Sequence, residues 1–319
     1  MPPADSQRVD RWKLRTRTLA VGRLPLLMGV INVTPDSFSD GGHFAKPGTV
    51  PDRGLSPSKP GTVPERGLSP SGPFSEVLDA TSAVEHGLRL AAEGADILDV
   101  GGESTRPGAE PLEAEEELRR VLPVVAALCE QTSRPVSIDT SKALVARAAL
   151  DLGAEIINDV TAFRGDAEML ALAADAGCGV CAMHMQGTPL TMQEAPQYDD
   201  VVEEVLDFLR SRRDALIAAG IEQGRIALDP GIGFGKAADH NLVLLRNAWR
   251  LHELGCPVLI GHSRKRFIGE VLGRIEADRT AGTIGVALAT ARQGVQVLRV
   301  HDVAAVRQAL LLFEAAGGL

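Results

Sequence analysis

Eight short runs of β-branched and aliphatic residues, at 25–33, 95–100, 134–139, 154–158, 179–184, 225–229, 256–260 and 295–300, recur along the chain. Between and after them lie longer segments, at 76–93, 113–131, 142–152, 167–176, 200–219, 240–254, 280–293 and 303–315, in which Leu, Ala and Val return near i, i+3 and i+4. Alternation of strand and helix requires crossover connections and so a parallel sheet. After the first interval, the runs start 39, 20, 25, 46, 31 and 39 residues apart. The first interval is 70, but it contains two 13-residue copies, 46–58 and 59–71, that differ only at Asp52 and Glu65. Without those 26 residues it is 44, like the others. Eight βα units in series predict an α/β fold, a single (β/α)8 TIM barrel spanning 25–319. A doubly wound sheet is the alternative. It calls for a Gly-rich dinucleotide turn after the first run, and none is present. Residues 1–24 form an N-terminal segment in which 13–21 predicts a short hairpin over the barrel floor. The repeat at 46–71 is rich in Pro, Gly and Ser, lacks any helical or strand period, and reads as a duplicated insertion in the first βα loop.

Only 11 of the 319 residues are aromatic (8 Phe, 2 Trp, 1 Tyr), so the core has to be aliphatic. There are 33 basic and 42 acidic side chains, a net charge of −9, which argues against a nucleic-acid partner. An anionic substrate must then be drawn in by a local basic cluster. Residues 1–18 are charged without an apolar h-region, and no apolar run reaches the roughly 18 residues that span a bilayer. No membrane association is expected, and a cytoplasmic location is. The four cysteines are Cys129, Cys178, Cys181 and Cys256. Cys178 and Cys181 have CxxC spacing, but there is no second pair to complete a zinc site, and both are expected as buried small hydrophobes.

Catalytic groups of a parallel barrel come from the C-terminal ends of its strands and the loops that follow. Here the runs lead into Asn32, Asp99, Asp139, Asn158, His184, Asp229, Ser263 and the pair Arg299 and His301. An Asp at a strand end also serves as an N-cap, and that plainer account stays open for Asp139 and Asp159. Amides and carboxylates converging on one mouth suit a flat, nitrogen-rich heterocycle, because a carboxylate accepts two parallel N–H bonds from an amino-pyrimidine edge. The late runs add cations, Arg264, Lys265 and Arg266 after the seventh and Arg299 and His301 at the eighth, where barrels commonly hold phosphate. Asn32 and Asp36 offer hard oxygens suited to one Mg2+ shared with substrate phosphates.

The stretch from Asp229 to Lys236 has the look of a phosphate loop but fails its pattern, since Pro230 replaces the first glycine and no Ser or Thr follows Lys236. Its glycines are expected to bring backbone close to a ligand, and Lys236 is expected in solvent. His262 is expected on the rim with a local hydrogen bond. For His184, between Met183 and Met185, lining the pocket and filling the barrel stay equally open.

The residues from Met28 through Asn32, Asp36 and Phe38 to Gly42 closely resemble the first signature of the dihydropteroate synthase family. Asp99 through Glu103, Thr105 and Arg106 to Ala109 resemble its second. Ser137-Ile-Asp139-Thr, Ile157-Asn158-Asp159, Leu228-Asp229-Pro-Gly, Ser263-Arg-Lys265 and Arg299-Val-His301 follow in the family's order, and the likeness runs over about residues 25–315. What the resemblance implies is a transferase that joins 6-hydroxymethyl-7,8-dihydropterin diphosphate to 4-aminobenzoate, releasing pyrophosphate and giving 7,8-dihydropteroate in folate biosynthesis. It implies Asn32 as a Mg2+ ligand and Asp36 as a loop residue completing the metal–pyrophosphate site. Asp139, Asn158, Asp229 and Lys265 correspond to the pterin pocket, with Met183 beside them, and Arg299 and His301 to the diphosphate site. Thr105 and Arg106 fall on the loop over the aminobenzoate, and Phe38 and Pro107 would supply apolar walls. Asp36, Asp139, Lys265 and Arg106 are the expected catalytic residues, and a homodimer through the late helices is the family's habit.

The repeat departs from that pattern. It lies on the loop that closes the site in the family, yet loop-closure cost grows only logarithmically with length. Deleting 46–71 should leave turnover within several-fold of the parent, and loss of nearly all activity in a folded deletion would overturn this. Two competing functions remain: a catalytically silent pterin binder, and a corrinoid-linked methyltransferase acting on methyl-tetrahydrofolate. The presence of Asn32, Asp36, Thr105, Arg106 and Lys265 speaks against the first. The late cations, which methyl transfer does not need, speak against the second.

Overall fold

A computed structural model describes residues 8–34, 73–106 and 108–319. The repeat at 46–71 and the expected site residues Asp36, Phe38 and Pro107 lie outside the described residues. The chain enters through an antiparallel hairpin, β1 (Arg11–Lys13) and β2 (Thr18–Ala20), paired with Trp12 opposite Leu19. Eight parallel strands follow: β3 (Leu26–Asn32), β4 (Ile97–Gly101), β5 (Val136–Asp139), β6 (Ile156–Asp159), β7 (Gly179–Met183), β8 (Ile226–Asp229), β9 (Leu259–Ile260) and β10 (Val297–Val300). Their order is β8-β7-β6-β5-β4-β3-β10-β9, and a parallel bridge between Leu228 and Val258 joins the two ends into a closed barrel.

The helices are α1 (Pro73–Ala92), α2 (Ala114–Gln131), α3 (Ala143–Asp151), α4 (Met169–Ala176), α5 (Val201–Ala218), α6 (Ala238–Arg246), α7 (Arg266–Val271), α8 (Thr280–Ala291) and α9 (Val303–Ala315). The pattern at 280–293 and 303–315 reads directly into α8 and α9. The single helix expected over 240–254 is instead α6 followed by a 3-10 stretch, Ala248–Leu254. The break falls at Asn247, whose side-chain amide donates to the Val243 carbonyl at 2.9 Å and competes with the helical ladder. The short α7 was not expected.

Alternation along each strand divides the two faces of the barrel wall. Leu98, Val100, Ile138, Ile157, Val180, Leu228 and Leu298 point outward into one continuous core shared with the helices. The inward positions near the strand starts form a second core of Met28, Ile97, Ile156, Cys181, Ala227, Leu259 and Val297, closed from below by Trp12 and Leu14. Trp12 is fully buried, and its indole N–H donates to the Arg225 carbonyl at 2.9 Å. The hairpin is therefore a plug in the barrel floor, as expected. Cys178 and Cys181 are both buried and unpaired, also as expected.

Candidate active site

The same alternation that puts apolar residues inside the floor puts polar ones inside the mouth. From β4 inward come Ile97, Asp99 and Gly101, and from β10 Val297 and Arg299. Asp139, Asn158 and Asp229 take the equivalent places at the ends of β5, β6 and β8. Register sets Gly101 beside Asp139, Asp139 beside Asn158, and Met183 beside Asp229. Asn32, Asp229 and Arg299 are thus at the same end of the molecule.

Arg299 organises the interior. Its Nε donates to Asp99 Oδ2 and its Nη2 to Asp139 Oδ2, each at 2.6 Å, while the Asn158 amide donates to Asp99 Oδ2 at 3.3 Å. Burial opposes the Arg299 charge, but the carboxylates of Asp99 and Asp139 more than offset it, so the guanidinium stays protonated. Burial, reinforced by the nearby charges of Asp99, Glu117 and Asp159, pushes the Asp139 carboxyl up against the opposing pull of Arg299. The 2.6 Å contact with Arg299 makes Asp139 its ion-pair partner rather than a helix cap. The helix cap it might have supplied comes from Asp166, whose Oδ2 accepts from the Ala143 N–H at 2.8 Å. Asp159 does not cap a helix either; it closes the turn after β6, accepting from the Thr161 and Phe163 N–H groups at 2.7 and 2.8 Å, while α4 begins only at Met169.

Asp229 is held by the turn that follows it, accepting from the Gly231 N–H at 2.7 Å, and burial raises its pKa. Gly231 has φ +67°, and a Cβ there would lie 1.8 Å from the His184 carbonyl oxygen, so this position demands glycine. Lys265 crosses to the same turn. Its ammonium donates to the Ile232 carbonyl and lies 4.2 Å from the centre of the Phe234 ring. Burial brings the Lys265 pKa down to about 7, with Asp229 opposing. His301 shares a hydrogen bond between its Nδ1 and Ser263 Oγ at 3.1 Å. Burial, followed by the charges of Arg299, Arg264 and Arg106, lowers its pKa to about 3. Arg106 itself is exposed. Arg264, with φ +57°, pairs with Asp302 instead of turning inward.

A cavity of about 230 Å³ opens beside this cluster, lined by Glu103, Thr105, Asp139, Val160, Met185 and Leu190 among others. Thr105 and Asp139 are the expected site residues it touches. Met183 lies deeper, within 3.3 Å of where a Gly231 Cβ would stand. His184 takes neither expected role. It follows inward-facing Met183, is buried, and packs edge-on to Phe208 with ring centres 4.8 Å apart. Lys236, expected in solvent, is only 2% exposed. Its Nζ reaches His184 Nδ1 at 2.8 Å and the Phe234 carbonyl at 2.9 Å. His262 is buried rather than on the rim, and its Nε2 bonds not to a neighbour in its own loop but to the Thr283 carbonyl of α8, at 3.0 Å. Asp99, left out of the expected binding set, is fully buried at its centre. The inward parity of Ile97, Asp99 and Gly101 was the signal for it.

No group of three or more His, Cys, Asp or Glu side chains suited to a metal is present among the described residues. Asn32, at the half-buried end of β3, offers a single hard oxygen. That donor set fits Mg2+ held mainly by phosphate oxygens and water, and does not fit a metal caged by protein.

A (β/α)8 barrel whose mouth joins inward carboxylates and an amide to late-strand cations defines a class, and the family described as "Pterin binding enzyme" matches residues 69–301. Within that class, the dihydropteroate synthase of Neisseria meningitidis serogroup B is 43% identical over 298 residues, covering 92% of this chain and 93% of the relative. The dihydropteroate synthase of Escherichia coli K12 is 40% identical over 291 residues, 91% of each chain. A solved structure of Xanthomonas albilineans dihydropteroate synthase with 4-aminobenzoic acid superposes with a TM-score of 0.80 at 44% identity, covering 97% of this chain and 99% of that one. The same enzyme in complex with 7,8-dihydropteroate gives 0.77 at 43% identity over 97% of this chain. The chain belongs to the dihydropteroate synthase family.

Proposed function

We propose that the protein condenses 6-hydroxymethyl-7,8-dihydropterin diphosphate with 4-aminobenzoate to give 7,8-dihydropteroate and pyrophosphate. The observation that carries this reading is the division of the mouth. Asp99, Asp139, Asn158 and Asp229 are gathered on β4, β5, β6 and β8, while Arg299 comes from β10, His301 follows it directly, and Lys265 comes from the loop after β9. The carboxylates and the amide suit the N–H groups and lactam edge of a pterin. The cations suit its departing diphosphate, whose developing charge must be neutralised for the C–O bond to break.

Arg299 has two tasks in this scheme. It holds Asp99 and Asp139 in place through its two hydrogen bonds, and it presents positive charge to the diphosphate. The exocyclic carbon left behind is cationic and delocalised into the ring, and the Asp139 carboxylate favours that transition state electrostatically. Neutral His301 adds a donor toward the leaving group without repelling Arg299. The aromatic amine of 4-aminobenzoate is a weak base that needs positioning more than deprotonation. Thr105 and Arg106, on the loop after β4, cover it, with Phe38 and Pro107 as apolar walls and Asp36 completing the pyrophosphate site. Mg2+ held by Asn32 would supply further charge neutralisation on the diphosphate.

A homodimer is supported by exposed apolar side chains on and near α7 and α9, notably Val271, Leu272 and Leu312. No helix among the described residues is long and apolar enough to cross a membrane, and four unpaired thiols suit a reducing, cytoplasmic setting. Mass-spectrometric detection of 7,8-dihydropteroate after incubation with both substrates and Mg2+ tests the reading. Its absence with folded protein would refute it.

A further inference from the structure

The loop between β4 and α2 carries Thr105 and Arg106, and its neck is fastened at four points that no expected role explains. Glu103 Oε1 accepts from the Leu112 N–H at 3.2 Å, closing the loop on itself. The other oxygen of Glu103 accepts from the Lys142 ammonium, which also donates to Glu117 Oε2 at 2.6 Å. Arg120 Nη1 donates to the Gly102 carbonyl at 3.1 Å. A Cβ on Gly102 would lie 2.7 Å from Val121 Cγ1, so only glycine lets the neck sit directly on α2.

Glu117 is wholly buried, and Lys142 is its ion-pair partner. Leaving a buried carboxylate unpaired is strongly unfavourable, which fixes the ammonium in place. Burial opposes the Lys142 charge, but its bonds to Glu103 and Glu117 prevail and raise its pKa. Lys142 stands three residues beyond Asp139, between β5 and α3. One fixed ammonium therefore ties the β4 loop to the segment carrying Asp139. Neither Lys142 nor Glu117 lines the cavity, whereas Glu103 does.

We infer that Glu117, Lys142 and Glu103 form a relay of positioning residues that sets the β4 loop over the amine-binding side of the mouth. This rests on the proposed function, which assigns Thr105 and Arg106 to cover 4-aminobenzoate. A bimolecular condensation gains much of its rate from holding two reactants in register, and misplacement by about 1 Å can cost up to about a hundredfold. The relay acts through the loop, so its loss should weaken use of the amine more than binding of the pterin.

Three variants test it. Glu103→Ala leaves the Lys142–Glu117 pair intact, and the double variant Lys142→Met/Glu117→Gln removes that pair without stranding a buried charge. Both are expected to raise the KM for 4-aminobenzoate about tenfold while the KM for the pterin diphosphate stays within about threefold. In the ligand-free protein, the Leu112 amide should exchange about tenfold faster in both, with exchange in the barrel strands unchanged. Lys142→Arg should restore most of the amine KM. An unchanged amine KM and unchanged Leu112 exchange in the double variant would overturn the inference. So would an amine effect confined to Glu103→Ala, which would mark Glu103 as a direct ligand instead. Failure of the parent protein to make dihydropteroate would refute the functional reading, while the exchange measurement would still decide the relay.

Discussion

Arg299 Nε lies 2.6 Å from Asp99 Oδ2, and the same guanidinium donates to Asp139 at an equal distance. Asp99 is fully buried and the Arg299 side chain is 23% exposed, so the pair straddles the boundary between barrel interior and ligand space. Removing one partner of a buried pair costs about 3–5 kcal/mol, whereas removing both can be nearly neutral. Arg299→Met should therefore lose about that much stability in urea unfolding and at least about a hundredfold in kcat/KM. Asp99→Asn/Arg299→Met should recover the part of that stability lost through Asp99, leaving Asp139 without its partner, and none of the activity. Recovery of activity in the double variant would show that the pair serves the fold alone.

Lys265 gives a pH signature. Its pKa in the free protein is lowered to about 7, chiefly by burial. A ligand that places a carbonyl or negative charge beside it raises that pKa, so the complex binds more protons than the free protein above pH 7. By linkage, affinity for the pterin diphosphate should fall as pH rises from 7 to 9, by at most about tenfold per unit. Calorimetric Kd values for the parent and Lys265→Met should diverge at low pH and converge at high pH. Parallel profiles would rule the effect out.

Buried Lys236 affects stability in the same pH range. Burial lowers its pKa well below the ordinary 10.5, so the unfolded chain binds a proton that the native state tends to shed. Parent stability should rise with pH toward 10.5 relative to Lys236→Met, which lacks that titration. The variant also leaves His184 Nδ1 and the Phe234 carbonyl without their donor, a loss of about 1–3 kcal/mol. Urea unfolding at pH 7 and 9.5 reads both effects. A constant difference between the two proteins would contradict the first.

The floor and the mouth should separate cleanly by mutation. Trp12→Ala empties the plug beneath the second core and should cost about 3–5 kcal/mol, with kcat per folded molecule unchanged. A fall in kcat matching the fall in stability would show that the floor couples to the site.

Local period made much of this molecule legible. The serial alternation of short apolar runs and amphipathic segments marked the barrel, and polar residues at the ends of those runs, Asp99, Asp139, Asn158 and Asp229 among them, marked the mouth. What escaped depends on contacts distant in sequence. Lys236 has a loop's composition around it, and only the turn at Gly231–Gly235 meeting His184, 52 residues away, buries it. The Lys142–Glu117 pair spans 25 residues and two elements, beyond any helical or strand spacing. Arg299 was legible as a diphosphate residue but not as the partner of Asp99, 200 residues earlier. The break at Asn247 was missed for another reason, because apolar spacing continues through it.

The most direct test of the account is pyrophosphate release from the pterin diphosphate by the purified protein with Mg2+, measured with and without 4-aminobenzoate. Release should depend on the amine, match dihydropteroate formed one for one, and be lost in Arg299→Met. Release at the same rate without the amine, or none from the folded protein, would contradict it.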